Sequence, residues 1–450
     1  MTGSLEDSQA YGELAALVDT APTDDTSAPV TRGPRRGARI ALIVAGVIVV
    51  ALAASMGGYC VWALSAALPA PTVSWDDPGG VSAEPAVLAV PDFGASALSV
   101  SGAEDYLGPD AHGIWLSGGS GAPQSIGSVS KIITALVILD AYPLVDADDP
   151  GPTITFSSED NALYDQYYVQ GATIAPMPTG STMSLHDALA TMLIPSASNY
   201  ADALASWAFG SHSGFRAATR DWLATHGLSG TTILEPTGLN PGNTSTPTDM
   251  VTIGKLAAAN PTVAAIASTR SLTFPSPGFM SNTNQLLGVE GISGLKTGNL
   301  GYGTYALLYT ASMDVGLPAP VELTGVVLGG ATRESVNADV IALLRSIRAG
   351  FHDLPLIAEG DRIGEFTTPW GSAGAIVASA DAALFTWSDT PVTPKVQLRD
   401  DPSYAEGEVV GTITWTSGTG SVSVDLIVDG GVHPPTEWWR LTHPRELAHG

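Results

Sequence analysis

Between Arg39 and Asp76 the chain carries no charged side chain, and inside that gap Ile40–Leu64 reads IALIVAGVIVVALAASMGGYCVWAL. An apolar run of 25 residues exceeds the roughly 20 that a helix needs to cross a bilayer. Arg32, Arg35, Arg36 and Arg39 precede it, whereas Asp76 and Asp77 open its far side. Because cytoplasmic flanks collect Lys and Arg, the N-terminus is expected inside and everything after about residue 66 outside. A cleavable signal peptide is the rival reading, but its apolar core and its leader are normally shorter than those found here. An uncleaved membrane helix is therefore expected over 39–65. Cys60 is the only cysteine, so no disulfide can form within the chain. The bulky Tyr59 before it argues against lipidation at GGYC.

The remaining sequence divides by texture. Residues 1–38 are polar, acidic and rich in Pro and Thr, and are expected to be a disordered cytoplasmic tail. Residues 66–85 read as a Pro/Gly/Ala linker. From 86 to 351 strand and helix patterns mix: an early strand at GASALSV, helical periods in 128–140 and across 184–226, and strands at GLKTG, YALLYTASM and VELTGVVLGG. An amphipathic helix, 331–351, closes that unit. Residues 352–450 turn to short strands, with GDRIGEF echoing GEVVGTI and a hairpin expected around Ser417–Gly420. With 18 basic against 44 acidic side chains and a net charge of -26, the molecule has no electrostatic reason to bind nucleic acid.

Only four lysines are present, at 131, 255, 296 and 395, and two of them stand in unusual places. In SIGSVSKIITALVILD, Lys131 heads an apolar helical run three residues after Ser128. Residues at that spacing share a helix face. An amine walled by apolar side chains loses some preference for its charged form and can take a proton from a neighbouring hydroxyl. Lys296-Thr297-Gly298 lies in the strand-like GISGLKTGNLGYG, a basic and a hydroxyl group suited to a carboxylate, followed by a glycine that lets a ligand backbone lie close. Between the two, IPSASNYADALA places Ser196 at a junction of two helical patterns.

These three motifs, in this order and with the flanks EPTGLNPGNTSTPTDM and NTNQLLGVEGISGLKTG, resemble the penicillin-recognising serine enzymes. Within that superfamily the chain is most similar to the low-molecular-mass penicillin-binding proteins of the serine D-alanyl-D-alanine carboxypeptidase group. The resemblance implies an α+β fold: an antiparallel sheet flanked by helices, a helical subdomain, and a small all-β domain behind it. It implies that Ser128 is the nucleophile and Lys131 its base, and that Ser196 relays a proton to the leaving D-alanine. Lys296 and Thr297 would hold the substrate carboxylate, and the backbone N–H groups of Ser128 and Asn299 would form the oxyanion hole. The middle motif departs from the pattern, reading Ser196-Ala197-Ser198 where the family usually ends in Asn. Ser198 is expected to fill that slot, with Asn199 as the alternative.

The resemblance further implies peptidoglycan stem peptides and β-lactams as partners, an undefined partner for the β-rich domain, and no cofactor. Two rivals stay open: a β-lactamase, for which neither Ser-Asp-Asn nor a water-activating glutamate is identified, and a non-catalytic wall-binding scaffold. The eight histidines show no metal spacing, which argues against a zinc peptidase, and His186 reads as structural. Trp438-Trp439 and Arg440 are expected to be a packed strand end, with a contact to a membrane or a partner as the alternative.

Overall fold

The computed structural model describes residues 36–399 and 403–449, so nearly all of the tail expected over 1–38 lies outside the described residues. A helix runs from Arg36 to Ser65. Its Gly37–Ser65 stretch has a mean hydropathy of 2.6, and among the described residues none covers its most apolar part. A helix that is apolar all round and uncovered is long and hydrophobic enough to cross a membrane. The chain forms two compact units, Met1–Ala70 with Pro434–Gly450, and Pro71–His433.

At the centre of the larger unit is a five-stranded antiparallel sheet in the order Ile292–Gly298, Tyr305–Met313, Val321–Gly330, Ala95–Ser101, Leu116–Gly119. Its strands are apolar on both faces because both faces are covered. One face, with Ala97, Leu295, Leu308 and Val326, meets the helices Ser130–Ala141, Pro247–Ala259 and Pro261–Ser268 and the helical subdomain. The other, with Leu98, Leu307, Tyr309 and Val327, packs on the helix Arg333–Gly350 through Val336, Val340, Leu343, Leu344 and Ile347. That spacing of three and four is the amphipathic stripe expected from the sequence. The helix Ser130–Ala141 is buried from Ser130 to Leu139, so it runs through the middle of the core. This is the expected architecture of an antiparallel sheet flanked by helices.

The β-rich region forms a six-stranded antiparallel sheet around Phe366, Ile413, Trp415 and Leu426. Its Val409–Thr416 and Ser421–Asp429 strands make the hairpin expected near Ser417–Gly420. Two expectations need correcting. The segment read as a linker contributes an edge strand, Thr72–Trp75, paired with Arg362–Thr367, and Val81 bridges to Val392. A four-residue strand between Pro71 and Pro78 gives no periodic signal, and the partner strand lies nearly 300 positions away. The segment after residue 433 does not continue the β region: Glu437–Thr442 is a helix capped by Thr436, so Trp438 and Trp439 do not end a strand.

Candidate active site

Gly127–Val129 forms a 3₁₀ turn that runs directly into the Ser130–Ala141 helix. Ser128 therefore sits on the turn, half-buried, with Lys131 one turn further on and fully buried. Lys131 Nζ is 3.0 Å from Ser128 Oγ, 3.3 Å from Ser198 Oγ and 2.6 Å from the Thr237 carbonyl oxygen. All three partners are neutral. Burial pushes its pKa down from 10.5 to about 7, opposed by the negative charge of Glu235. At neutral pH a large fraction of the amine is thus unprotonated. It can donate two hydrogen bonds to Thr237 and Ser198 while its lone pair accepts the Ser128 proton.

The Thr237 carbonyl is held in place by one carboxylate. Glu235 Oε2 accepts from the Thr237 backbone N–H and hydroxyl, both at 2.6 Å. Its Oε1 accepts from the backbone N–H groups of Gly238 and Asn240 at 2.7 and 3.2 Å. Asn243 Nδ2 donates to the same oxygen at 3.2 Å and to Ser130 Oγ at 3.1 Å, linking this loop to the first turn of the Lys131 helix. Gly238 has φ +85°, and a Cβ there would lie 2.0 Å from the Gly127 carbonyl oxygen and 2.9 Å from the Ser128 nitrogen. Only glycine allows this loop to press against the serine turn.

Ser196 joins the helices Leu185–Leu193 and Ser198–Phe209 with φ +73°, a left-handed conformation costly for a non-glycine residue. It is buried to 6% exposure, yet its hydroxyl makes no hydrogen bond among the described residues. The amide of Asn199 is engaged elsewhere: its Oδ1 accepts from the Ala175 N–H and its Nδ2 donates to the Ala175 carbonyl. Ser198, not Asn199, therefore contacts Lys131.

Lys296 and Thr297 lie at the end of the central edge strand Ile292–Gly298, both buried. Lys296 Nζ donates to Thr283 Oγ1 at 3.3 Å, and Thr297 Oγ1 donates to the same oxygen at 2.7 Å. Arg333 Nη1 donates to the Thr283 carbonyl at 2.8 Å, and the Thr283 N–H reaches the Ile194 carbonyl beside the Ser196 junction. Burial holds the Lys296 pKa well below its ordinary value, and the charges of Lys131 and Arg333 depress it further. Lys131, Lys296 and Arg333 make no ion pair among the described residues. Gly298 departs from the sequence expectation. A Cβ there would fall 2.4 Å from the Ile126 carbonyl oxygen and 3.1 Å from Val129 N, so internal packing requires the glycine, not a ligand backbone. Asn299 is exposed, and its backbone nitrogen would lie 2.8 Å from a Cβ on Gly127, next to Ser128.

The structure thus gathers Ser128, Lys131 and Ser198 into one hydrogen-bonded group, and Lys296 and Thr297 into a second, with the Gly298–Asn299 backbone against the serine turn. Glu235, Thr237, Asn243, Thr283 and Arg333 join them without having been singled out from the sequence. Glu235 was visible only as a carboxylate among Pro, Gly and Asn turn residues, and Thr283 and Arg333 carry no spacing signal. Open grooves elsewhere, such as one of about 550 Å³ lined by Arg216, Arg220 and Leu228, include none of these side chains.

Residues 114–332 match the family model described as D-alanyl-D-alanine carboxypeptidase. No curated protein matches the chain. Among solved structures, penicillin-binding protein 5 from Haemophilus influenzae is 20% identical, with 79% of this chain and 100% of that one covered and a TM-score of 0.48. The Streptomyces K15 DD-transpeptidase is 22% identical over 57% and 98%, also at 0.48. A peptidoglycan synthesis regulatory factor (PBP3) from Streptococcus pneumoniae is 20% identical over 77% and 100%, at 0.49. The family match runs through Ser128, Ser196 and Lys296 together, and over residues 114–332, just under half of the chain, the sequence is similar to the D-alanyl-D-alanine carboxypeptidase family.

Proposed function

We propose that the protein is a membrane-anchored serine hydrolase that removes the terminal D-alanine from peptidoglycan stem pentapeptides. Ser128 Oγ attacks the carbonyl of the D-Ala-D-Ala bond while the neutral amine of Lys131 takes its proton. The backbone N–H groups of Ser128 and Asn299 receive the charge that develops on the oxygen. Lys296, Thr297 and Arg333 hold the substrate's terminal carboxylate, the anion that this cluster of unpaired cations lacks. Ser196 passes a proton to the departing amine, and water then hydrolyses the acyl-enzyme. A single observation carries this reading: the fully buried Lys131 lies 3.0 Å from Ser128 Oγ and its three hydrogen-bond partners are all neutral.

The β-lactamase reading calls for a free carboxylate that activates water. Glu235, whose charge acts on Lys131, already accepts five hydrogen bonds from its own loop and Asn243. The arginines before Ile40 support a single span with the N-terminus in the cytoplasm and the catalytic unit outside. Incubation with a stem pentapeptide, followed by mass spectrometry, tests the activity. Loss of one D-alanine that disappears in Ser128→Ala is expected, and an intact pentapeptide under all conditions refutes it. A fluorescent penicillin separates the rivals: durable labelling of Ser128 fits the peptidase, rapid turnover a lactamase, and no labelling a scaffold.

A further inference from the structure

The smaller unit contains a contact that neither the family match nor the proposed activity uses. The Glu437–Thr442 helix lies on the last turns of the membrane helix. Tyr59 donates its hydroxyl to the Leu441 carbonyl at 2.7 Å. Arg440 Nη1 donates to the carbonyls of Ala66 at 2.9 Å and Ala63 at 3.4 Å. Those oxygens belong to the end of a long helix, where carbonyls lack intrahelical partners and the dipole is negative, so a guanidinium is doubly suited to them. Ala63, beside this contact, is the one fully buried residue of the described helix. Trp439 stacks on His443 at 4.7 Å, while Trp438 stays 74% exposed and Trp62 41% exposed.

The 25 apolar residues from Ile40 to Leu64 rise about 37 Å, against a hydrocarbon core of about 30 Å. The surplus is somewhat more than one turn. If the run enters the core at Ile40, Tyr59 reaches the far edge of the core, about 28 Å along, and Trp62 falls in the headgroup layer, where such rings concentrate. The docked helix adds Trp438 at the same end of the span. A large ring left open to water gains nothing there, whereas at the boundary its apolar body and its N–H are both accommodated.

We propose that Glu437–Thr442 is an interfacial clasp: Arg440 and Leu441 fasten it to the end of the membrane helix, and Trp438 enters the headgroup layer of that leaflet. The occupant of this exposed face is the lipid interface, because the face is continuous with a helix already committed to lipid. The inference rests on the reading of Gly37–Ser65 as a membrane span and adds a second lipid contact from the opposite end of the chain.

The test uses the full chain with Cys60→Ser, reconstituted into vesicles of phosphatidylcholine and phosphatidylglycerol. A nitroxide is placed in turn on Trp438→Cys, Val49→Cys and Lys395→Cys, and accessibility to oxygen and to a nickel complex gives its depth. Penicillin labelling of Ser128 at an unchanged rate verifies that each variant is folded. Val49 should read as hydrocarbon and Lys395 as water. Position 438 should fall between them, and Arg440→Ala should raise its nickel accessibility severalfold. A position 438 that matches Lys395 while Val49 reads deep overturns the clasp alone. An aqueous Val49 overturns the span and the clasp with it. A depth at 438 unmoved by Arg440→Ala overturns the role given to the guanidinium.

Discussion

Replacing Glu235 by Gln asks whether one carboxylate sets both the position and the basicity of Lys131. The change is nearly isosteric, yet the two oxygens of Glu235 accept from five donors: two on Oε2 and three on Oε1. Whichever way the amide turns, its NH₂ faces at least two donors, so two hydrogen bonds are lost. Hydrogen bonds to a charged group contribute about 1.5–3 kcal/mol each, and partial access of water to this half-buried loop reduces the total. A stability loss of about 2–4 kcal/mol is expected. Because the Thr237 carbonyl then drifts from Lys131 Nζ, acylation should slow by about 100-fold, the equivalent of about 3 kcal/mol in barrier. The pH profile carries an independent signature. Glu235 raises the Lys131 pKa, so removing its charge moves the acid limb of acylation, near pH 7, to lower pH. The assay is the second-order rate of fluorescent penicillin acylation from pH 5 to 10, with urea unfolding in parallel. An unchanged rate and an unchanged acid limb would refute the argument. Normal acylation with a longer-lived acyl-enzyme would instead make Glu235 the base that activates water, and so favour the lactamase reading.

The middle motif gives a contrast between adjacent residues. Ser198→Ala removes one of three Lys131 partners and should slow acylation by about 10-fold with little change in stability. Asn199→Ala strands both polar groups of Ala175 and should cost about 2–3 kcal/mol in urea unfolding, with acylation by the folded fraction little changed. Arg333→Ala should raise KM for a peptide ending in a free carboxylate and leave KM for its C-terminal amide unaltered; equal effects on both would remove Arg333 from carboxylate binding. Lys131 also predicts how stability depends on pH. Its folded pKa of about 7 lies below the ordinary 10.5, so between those values the unfolded chain binds more protons and stability rises with pH. The full difference corresponds to about 5 kcal/mol, and it should vanish from the urea stability of Lys131→Met relative to the parent.

The apolar helix Arg36–Ser65 was legible because hydropathy is a local property: 25 apolar residues with arginines before them announce it whatever the rest of the chain does. Lys131 beside Ser128 was legible for a similar reason, since residues three apart on a helix meet without help from the fold. Four of the five central strands and the stripe of the Arg333–Gly350 helix followed from local pattern, whereas the fifth strand, Leu116–Gly119, did not. The edge strand Thr72–Trp75 did not, because it exists only through pairing with Arg362–Thr367. The Glu437–Thr442 helix is similar: six residues give too short a period to identify, and its docking on the Arg36–Ser65 helix joins opposite ends of the chain.

Within the site the residue order specified the kinds of group present: two lysines in apolar settings, a serine one turn before Lys131, serines at a helix junction, and a glycine after Lys296-Thr297. It pointed to Ser198 but left Asn199 as an alternative, because both open the same helix. That choice was made by Ala175, which occupies the Asn199 amide from 24 residues away, and by the Ser130–Ala141 helix, which brings Lys131 to the Ser198 hydroxyl. Likewise only the tertiary structure placed Thr237 on Lys131, under the hold of Glu235, and put Thr283 between Lys296 and Arg333. The physical reason is common to all of these. A side chain's type and its near neighbours are written in the chain, but a hydrogen bond between distant segments depends on where the packed core brings their backbones together.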